Sequence, residues 1–427
     1  MKKLFPLSVL SLWVAACTTV EYPKTPVQAP VQTQPAPVVV VEAPKATPVV
    51  TTSSTTQQYD SFDAWKSDFT QRAIQAGHSA ADVQRLLANA QLSQRIISLD
   101  KQQPEFTKMP WDYAQSAISS VRVSAGQKNF AAQRDLLTAA ENQYGVPASI
   151  VTAIWGVESS YGQGTGSADL ASALATLAYE GRRRAFAEEQ LLAMLTLLQR
   201  GDLSWSQLKG SWAGGMGHTQ FIPATWLSFG VDGNGDQRRS PWTEADALSS
   251  TANYLSKSGW VRGLSPFYEV TLPAGFDYTQ TGTKKTFAQW QQMGVKFVQT
   301  AASDLNATAE LWLPAGVNGP ALLLSKNFEV IRVYNNSLSY ALAVSSLAKA
   351  IVGLPGIQKA WPTSEQPLTT AQAKMLQQRL TAAGYDTQGV DGVLGTNSRK
   401  AFQRWQAANG HVADGFISQR TASALIY

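Results

Sequence analysis

From Phe62 onward, apolar residues recur at helical rather than strand spacing, which restricts the chain to a mostly helical fold. The pattern predicts helices over residues 64–76, 80–90, 130–144, 148–161, 184–200 and 244–258. Strand-like runs are few, chiefly 267–272, 321–324 and 328–333. The expected class is mostly α (α+β), a helical domain with a minor sheet. The segment before Phe62 adds nothing to a core. Residues 18–58 are dominated by Pro, Val, Thr, Gln and Ala, with Ala-Pro pairs at 29–30, 36–37 and 43–44. Such a chain stays extended and reads as a tether. At about 3 Å per residue it reaches on the order of 100 Å.

Ahead of the tether, Lys2 and Lys3 precede an apolar run from Leu4 to Val14, which ends in Val14-Ala15-Ala16-Cys17. This is the anatomy of a secretory signal, too short to span a bilayer as a helix. Cys17 is the sole cysteine, so no disulfide framework exists. Small residues directly before it resemble the bacterial lipobox, in which that cysteine is lipidated and becomes the mature N-terminus. Thr18 in the next position suggests, by the same resemblance, sorting to the outer membrane. The expectation is a signal peptide over 1–16 and a lipid-anchored tether over 17–58, on the periplasmic side of the outer membrane. The formal charge is +5, and removing Lys2 and Lys3 leaves about +3. That excess is too small to argue for nucleic acid and is compatible with an anionic polymer. Thirteen tryptophans suit a cleft of carbohydrate size.

The helix expected after Gly145 carries the most informative residue. Pro147 fits its first turn, where a missing N–H costs nothing. At 100° per residue, Ile150, Val151, Ile154, Trp155 and Val157 cover roughly 160° of one side. Glu158 falls inside that arc, away from Thr152, Ser159 and Ser160. A carboxylate on an apolar stripe is costly unless it is paired or protonated. Desolvation raises its pKa, as a general acid near neutral pH requires. On this helix alone, an edge residue that snorkels or pairs with an arginine fits equally well.

Downstream come Arg182-Arg183-Arg184 and a glycine-rich segment, Ser211-Trp212-Ala213-Gly214-Gly215-Met216-Gly217-His218-Thr219-Gln220-Phe221-Ile222-Pro223. Glycines there would allow close approach by a ligand. Together with Gly156-Val157-Glu158, Asn253-Tyr254, Tyr334-Asn335 and Tyr340-Ala341-Leu342-Ala343-Val344, this ordered run resembles the membrane-bound lytic transglycosylase B family of peptidoglycan-cleaving enzymes. The resemblance covers about 62–356. It implies a lysozyme-like helical catalytic domain over 59–356 with one catalytic glutamate, which lands on Glu158. It further implies cleavage of the β-1,4 bond between N-acetylmuramic acid and N-acetylglucosamine without water. Glu158 would protonate the glycosidic oxygen and then take the C6 hydroxyl proton as a 1,6-anhydro ring closes. The absence of an obvious second carboxylate agrees with that scheme, since ordinary glycosidases need two. By resemblance, Ser211, Gln220, Tyr254, Tyr334 and Tyr340 orient the muramyl sugar, although Tyr254 and Tyr334 fit a core role equally. Arg183 and Arg184 match an arginine pair that meets peptide or lactyl carboxylates, with plain surface solvation as the alternative. A hydrolytic muramidase and an inactive wall-binding scaffold are the rival readings.

Asp232-Gly233-Asn234-Gly235-Asp236 sets oxygen ligands at alternate positions, as calcium loops do. Arg238 would add a carbonyl, and Asp246 stands where the family's elongated loop has its closing carboxylate. Thr243 and Gln237 depart from the ordinary pattern, so a turn without an ion competes with a structural Ca2+. No cofactor is required for the chemistry, and His218, with only His78 and His411 elsewhere, argues against zinc.

After a linker at about 360–367, residues 368–427 hold two similar half-units. Asp391-Gly392 and Asp414-Gly415 make tight turns before helices capped by Thr or Ser. Leu376-Gln377, Gly384-Tyr385, Phe402-Gln403 and Gln406 resemble the peptidoglycan-binding module found beside wall hydrolases. The expected product is a three-helix unit with Phe402 and Trp405 in its core, raising local enzyme concentration on the wall. The expected partners are peptidoglycan and, through Cys17, the inner leaflet of the outer membrane, with the protein a monomer.

Overall fold

Helices with satisfied ends build most of the molecule. The computed structural model describes residues 58–100 and 108–427. The signal segment, Cys17 and the tether up to residue 57 lie outside the described residues. Ser61 caps the helix Phe62–Gln75 by accepting from the Ala64 N–H, and Ser79 does the same for Ala80–Leu87. Trp65, Phe69, Val83 and Leu86 turn inward from these two helices and pack on Leu170–Glu180 and Arg184–Arg200 in one core. A second core joins Arg134–Tyr144, Ala148–Ser159 and Leu338–Ile351. Among the described residues, no helix is long and apolar enough to cross a membrane.

Two sheets interrupt the helices. Strands β1 (Ala168–Asp169) and β2 (Lys209–Gly210) form a short antiparallel pair. Strands β3 (Phe267–Thr271), β4 (Lys284–Thr286), β5 (Lys296–Phe297), β6 (Thr308–Trp312) and β7 (Ala321–Ser325) make a five-stranded sheet. Its order is β4-β6-β7-β3-β5, and every pairing is antiparallel. Phe287, Trp290 and Leu323 fill a separate small core against it.

Two expected elements change. The apolar run at 328–333 is not a strand, because residues Lys326–Ile331 form a helix. Ser325 caps it by accepting from the Asn327 N–H, a local signal that outweighs the β-branched run. The single helix expected over 130–144 is two, Ser120–Ala132 and Arg134–Tyr144, which meet at Gln133. The chain leading into the linker at 360–367 is seated on the body. Buried Glu269 accepts from the backbone of Gln358 and Lys359, at 2.7 and 2.8 Å. Trp361 packs on Trp111, and Trp111 in turn meets Phe416 of the module.

The module contains helices Thr370–Ala382, Thr396–Ala408 and Ser423–Ile426. Phe402 and Trp405 stack in its core with ring centroids 5.5 Å apart. Gln377 and Gln406 occupy equivalent places in the two half-units. Each amide ties its own Asp-Gly turn, to Asp391 and Gly392 in one half and to Asp414 and Gly415 in the other.

Candidate active site

The helix Ala148–Ser159 is buried nearly all round, not on one stripe. Thr152 and Ser159, expected on a solvent side, are 0% and 2% exposed. Burial is tolerable because their hydroxyls return to backbone oxygens: Thr152 donates to Ala148 O, and Ser159 to Trp155 O and His218 O. Only Val157 and Glu158 are half-buried within the last turn. Glu158 is thus the point where a buried helix opens outward. Pro147 is the N-cap rather than the first helical residue, and Glu141 accepts the first orphan N–H, from Ala148, at 2.9 Å.

The end of this helix is strained and heavily braced. Ser160, Tyr161 and Gly162 all have left-handed backbones, with φ of 51°, 61° and 84°. Ser159 Oγ accepts from Gly162 N at 2.8 Å, and Tyr161 Oη donates to Arg122 O at 2.9 Å. Tyr161 folds back over Gly156, where a Cβ would lie 2.5 Å from its ring, so the glycine before Val157-Glu158 is needed for this closure.

Tyr340, 1% exposed, donates its hydroxyl to Glu158 Oε1 at 2.6 Å. It sits in the first turn of Leu338–Ile351, which packs directly on the glutamate helix. Burial, then the Glu158 charge, pushes the Tyr340 phenol well above its usual value, so it remains a donor. Tyr334 is also pushed up by burial and by Glu158, against hydrogen bonds to Thr251 and Thr219 that pull the other way. Its hydroxyl meets Thr251 Oγ1 at 3.2 Å, and the Tyr254 hydroxyl donates to Val333 O at 3.1 Å. Both rings also pack on Phe221, at 5.5 Å from Tyr334 and 5.8 Å from Tyr254. These two tyrosines therefore have satisfied hydroxyls and pack in the core, the alternative the sequence left open for them.

The glycine-rich segment folds on itself. Ser211 Oγ accepts from Gly215 N at 2.9 Å, and Met216 N donates to Phe221 O at 2.9 Å. Gln220, left-handed at φ 53°, donates Nε2 to Thr165 O and Gly217 O. A Cβ on Gly215 would lie 2.7 Å from Gln220 Oε1 and 2.8 Å from Ser211 Oγ. One on Gly217 would lie 1.8 Å from Pro241 O. The space expected to admit a ligand at these two glycines is instead filled by the protein's own groups, which fix Ser211 and Gln220.

Arg183 pairs with buried Asp100 at 3.3 Å and lies over Phe186, while Arg184 donates to Ala178 O and lies over Tyr59. Sequence reasoning missed the residues that brace the site. Trp155 Nε1 donates to His218 Nδ1 at 3.1 Å, and Thr251 meets Tyr334. Neither partnership carries a sequence signal, because each joins segments more than 60 residues apart.

In the acidic loop, Asp232 accepts from the backbone of Gly235, Asp236 and Gln237, and Asp236 from Arg238 N. Asp246, 0% exposed, accepts from Gly233 N and Ser240 N. Burial raises its pKa, and the charges of Asp232 and Asp236 raise it further. Arg239 of the same loop pairs with Asp202 instead. Unneutralised oxygen donors of this kind fit a hard cation. Among the described residues no three acid, His or Cys side chains converge to hold an ion by themselves, so backbone and amide oxygens would have to contribute.

Comparison with known proteins identifies the family of each domain. A transglycosylase SLT domain matches residues 61–349, and a putative peptidoglycan binding domain matches 369–425. The membrane-bound lytic murein transglycosylase B of Escherichia coli is 31% identical over 290 residues, covering 64% of this chain and 79% of that protein. The crystal structure of SltB3 from Pseudomonas aeruginosa in complex with NAG-anhNAM-pentapeptide superposes with a TM-score of 0.81 at 43% identity, covering 86% of this chain and all (100%) of the other. The E. coli lytic transglycosylase Slt35 in complex with calcium gives a TM-score of 0.60 at 29% identity, over 67% of this chain and 92% of that one. The lysozyme-like helical domain matched over 61–349 and the peptidoglycan-binding module beside it place this chain in the transglycosylase SLT family, as a peptidoglycan lytic transglycosylase.

Proposed function

We propose that Glu158 is the single acid/base of a non-hydrolytic cleavage of the MurNAc–GlcNAc β-1,4 bond. The observation that carries this reading is the Tyr340–Glu158 hydrogen bond of 2.6 Å. With Oε1 held, the carboxyl plane is set before substrate arrives, and positioning of this kind is where catalytic groups gain most of their effect. Two-carboxylate schemes require a partner at about 5–9.5 Å. One acid suffices if its proton goes to the glycosidic oxygen and the resulting carboxylate takes the C6 hydroxyl proton. O6 then bonds C1, and the anhydro ring replaces water as the acceptor. Ser211, Gln220, Tyr254 and Tyr334 orient the muramyl sugar. Arg183 and Arg184 meet peptide or lactyl carboxylates of the wall.

Cys17 carries the lipid that holds the enzyme at the inner leaflet of the outer membrane, and the tether over 17–58 gives it reach. The loop of Asp232, Asn234, Asp236, Arg238 and Asp246 holds a structural Ca2+, which would neutralise its crowded carboxylates and brace the loop. The test of the acid/base role is Glu158→Gln. The variant should bind sacculi as wild type does and release no soluble muropeptide. Turnover equal to wild type would remove Glu158 from the chemistry.

A further inference from the structure

Between the catalytic domain and the terminal module lies a cavity of about 350 Å³. Arg332 enters it from the first and Arg399 from the second. Arg332 Nε and Arg399 Nη1 are buried, and neither has a hydrogen-bond acceptor. Burial, with the Arg332 charge, lowers the Arg399 pKa to about 10. Two guanidiniums that repel one another in a shared cavity, with N–H groups unmet, are costly unless an anion completes them. Water could satisfy the N–H groups but not the charge.

The lining holds four cations, Lys108, Arg332, Arg399 and Lys400, against two acids, Glu310 and Asp414. Asp414 is committed to Gln406 Nε2 and to the backbone of Phe416 and Val317. Glu310 also lines the cavity and stands opposite Lys284 in the β4–β6 register. Burial pushes its carboxyl up, against the charges of Lys284, Lys400 and Arg332. Lys108 and Lys400 add further positive charge at the lining.

One chain segment joins the cavity to the site already described. Residues 332–340 run from one to the other: Arg332 and Asn336 line the cavity, while Tyr334 and Tyr340 feel or hold Glu158. A peptide stem on a muramyl sugar spans on the order of 15 Å when extended, enough to leave a sugar-binding groove for a neighbouring pocket.

We propose that this cavity is a carboxylate subsite for the wall's peptide stems, gripped jointly by Arg332 of the catalytic domain and Arg399 of the binding module. It rests on the reading that the glycan lies at Glu158. Its consequence is specificity: the enzyme prefers strands that carry stems, and the module contributes a side chain to that choice.

The test is calorimetric titration of the full chain with the free tetrapeptide L-Ala-γ-D-Glu-mDAP-D-Ala, with the same peptide amidated at its carboxylates, and with sodium acetate. Wild type should bind the free peptide roughly ten- to a hundredfold tighter than the amidated one, the range of a charge-assisted bidentate contact. Arg332→Gln/Arg399→Gln should bind both alike, and Arg399→Lys should fall between. The double variant should melt no lower than wild type, since a repulsion is removed. Should it melt lower, the Arg399→Lys series alone decides. Equal peptide affinity in wild type and variants would overturn the proposal. Acetate binding as tightly as peptide would also overturn it, by reducing the cavity to a general anion site. No bond is cleaved in this assay, so its failure leaves the transglycosylase reading intact, and failure of that reading leaves the peptide titration interpretable.

Discussion

Tyr340→Phe isolates the contact on which the proposed chemistry rests. The ring is 1% exposed and would keep its packing, so the change removes one hydroxyl and the 2.6 Å bond to Glu158 Oε1. A hydrogen bond to a charged group contributes about 1.5–3 kcal/mol. At about 1.36 kcal/mol per decade, losing it should slow cleavage roughly tenfold to a hundredfold. Stability should fall by no more than about the same amount, because the ring keeps its packing and Glu158, which loses this donor, is only half-buried. The assay is release of soluble muropeptides from sacculi, with kcat and KM measured apart. The loss should appear in kcat, since the hydroxyl positions the acid rather than the sugar. Tyr254→Phe, whose hydroxyl serves Val333 O, should cost far less. A Tyr340→Phe enzyme with wild-type kcat would refute the positioning argument.

Other consequences can be checked separately. Gly156→Ala forces a methyl group to within 2.5 Å of the Tyr161 ring, and overpacking of this kind should cost about 1–3 kcal/mol in urea unfolding. Trp111→Ala removes the ring that joins Trp361 and Phe416, so limited proteolysis should begin cutting between 360 and 367 while the catalytic domain persists. Burial holds the His218 pKa below its usual value, against a hydrogen bond with the Trp242 backbone. The unfolded chain therefore takes the proton first, and this contribution to stability is complete above about pH 6.5 and declines as pH falls below it. A His218→Gln variant should show a flatter stability profile between about pH 6.5 and 5. Chelation should lower Tm if the Asp232–Asp246 loop holds calcium, and re-addition at about 100 times Kd should restore roughly 2.7 kcal/mol.

What the sequence made legible follows from the range of each signal. Helices such as Arg184–Arg200 carry their periodicity and ends locally and appear where expected. Glu158 stood out because a charge among Ile154, Trp155 and Val157 needs a reason, yet the helix proved buried on nearly every side. Periodicity cannot distinguish a half-buried helix from one wrapped by neighbours, because the difference lies in the elements packed around it, such as Leu338–Ile351, whose Tyr340 is 182 residues from Glu158. The run at 328–333 misled for a related reason: a short apolar stretch does not reveal its period, and the Ser325 cap decided it. The glycines of 214–217 were correctly marked as sites of close approach, but what approaches is Leu174, Ser211, Gln220 and Pro241 rather than a ligand. The Arg332–Arg399 cavity had no sequence signature at all, since its two cations are 67 residues apart and belong to different domains.

The central claim is that a lone glutamate splits the glycan with no water consumed. Digestion of sacculi in 18O-labelled water, followed by mass spectrometry of the released muropeptides, tests it most directly. The account predicts chain ends at the anhydro mass, 18 Da below the reducing sugar, with no label incorporated. Reducing ends bearing one 18O would contradict it and make the enzyme a hydrolase.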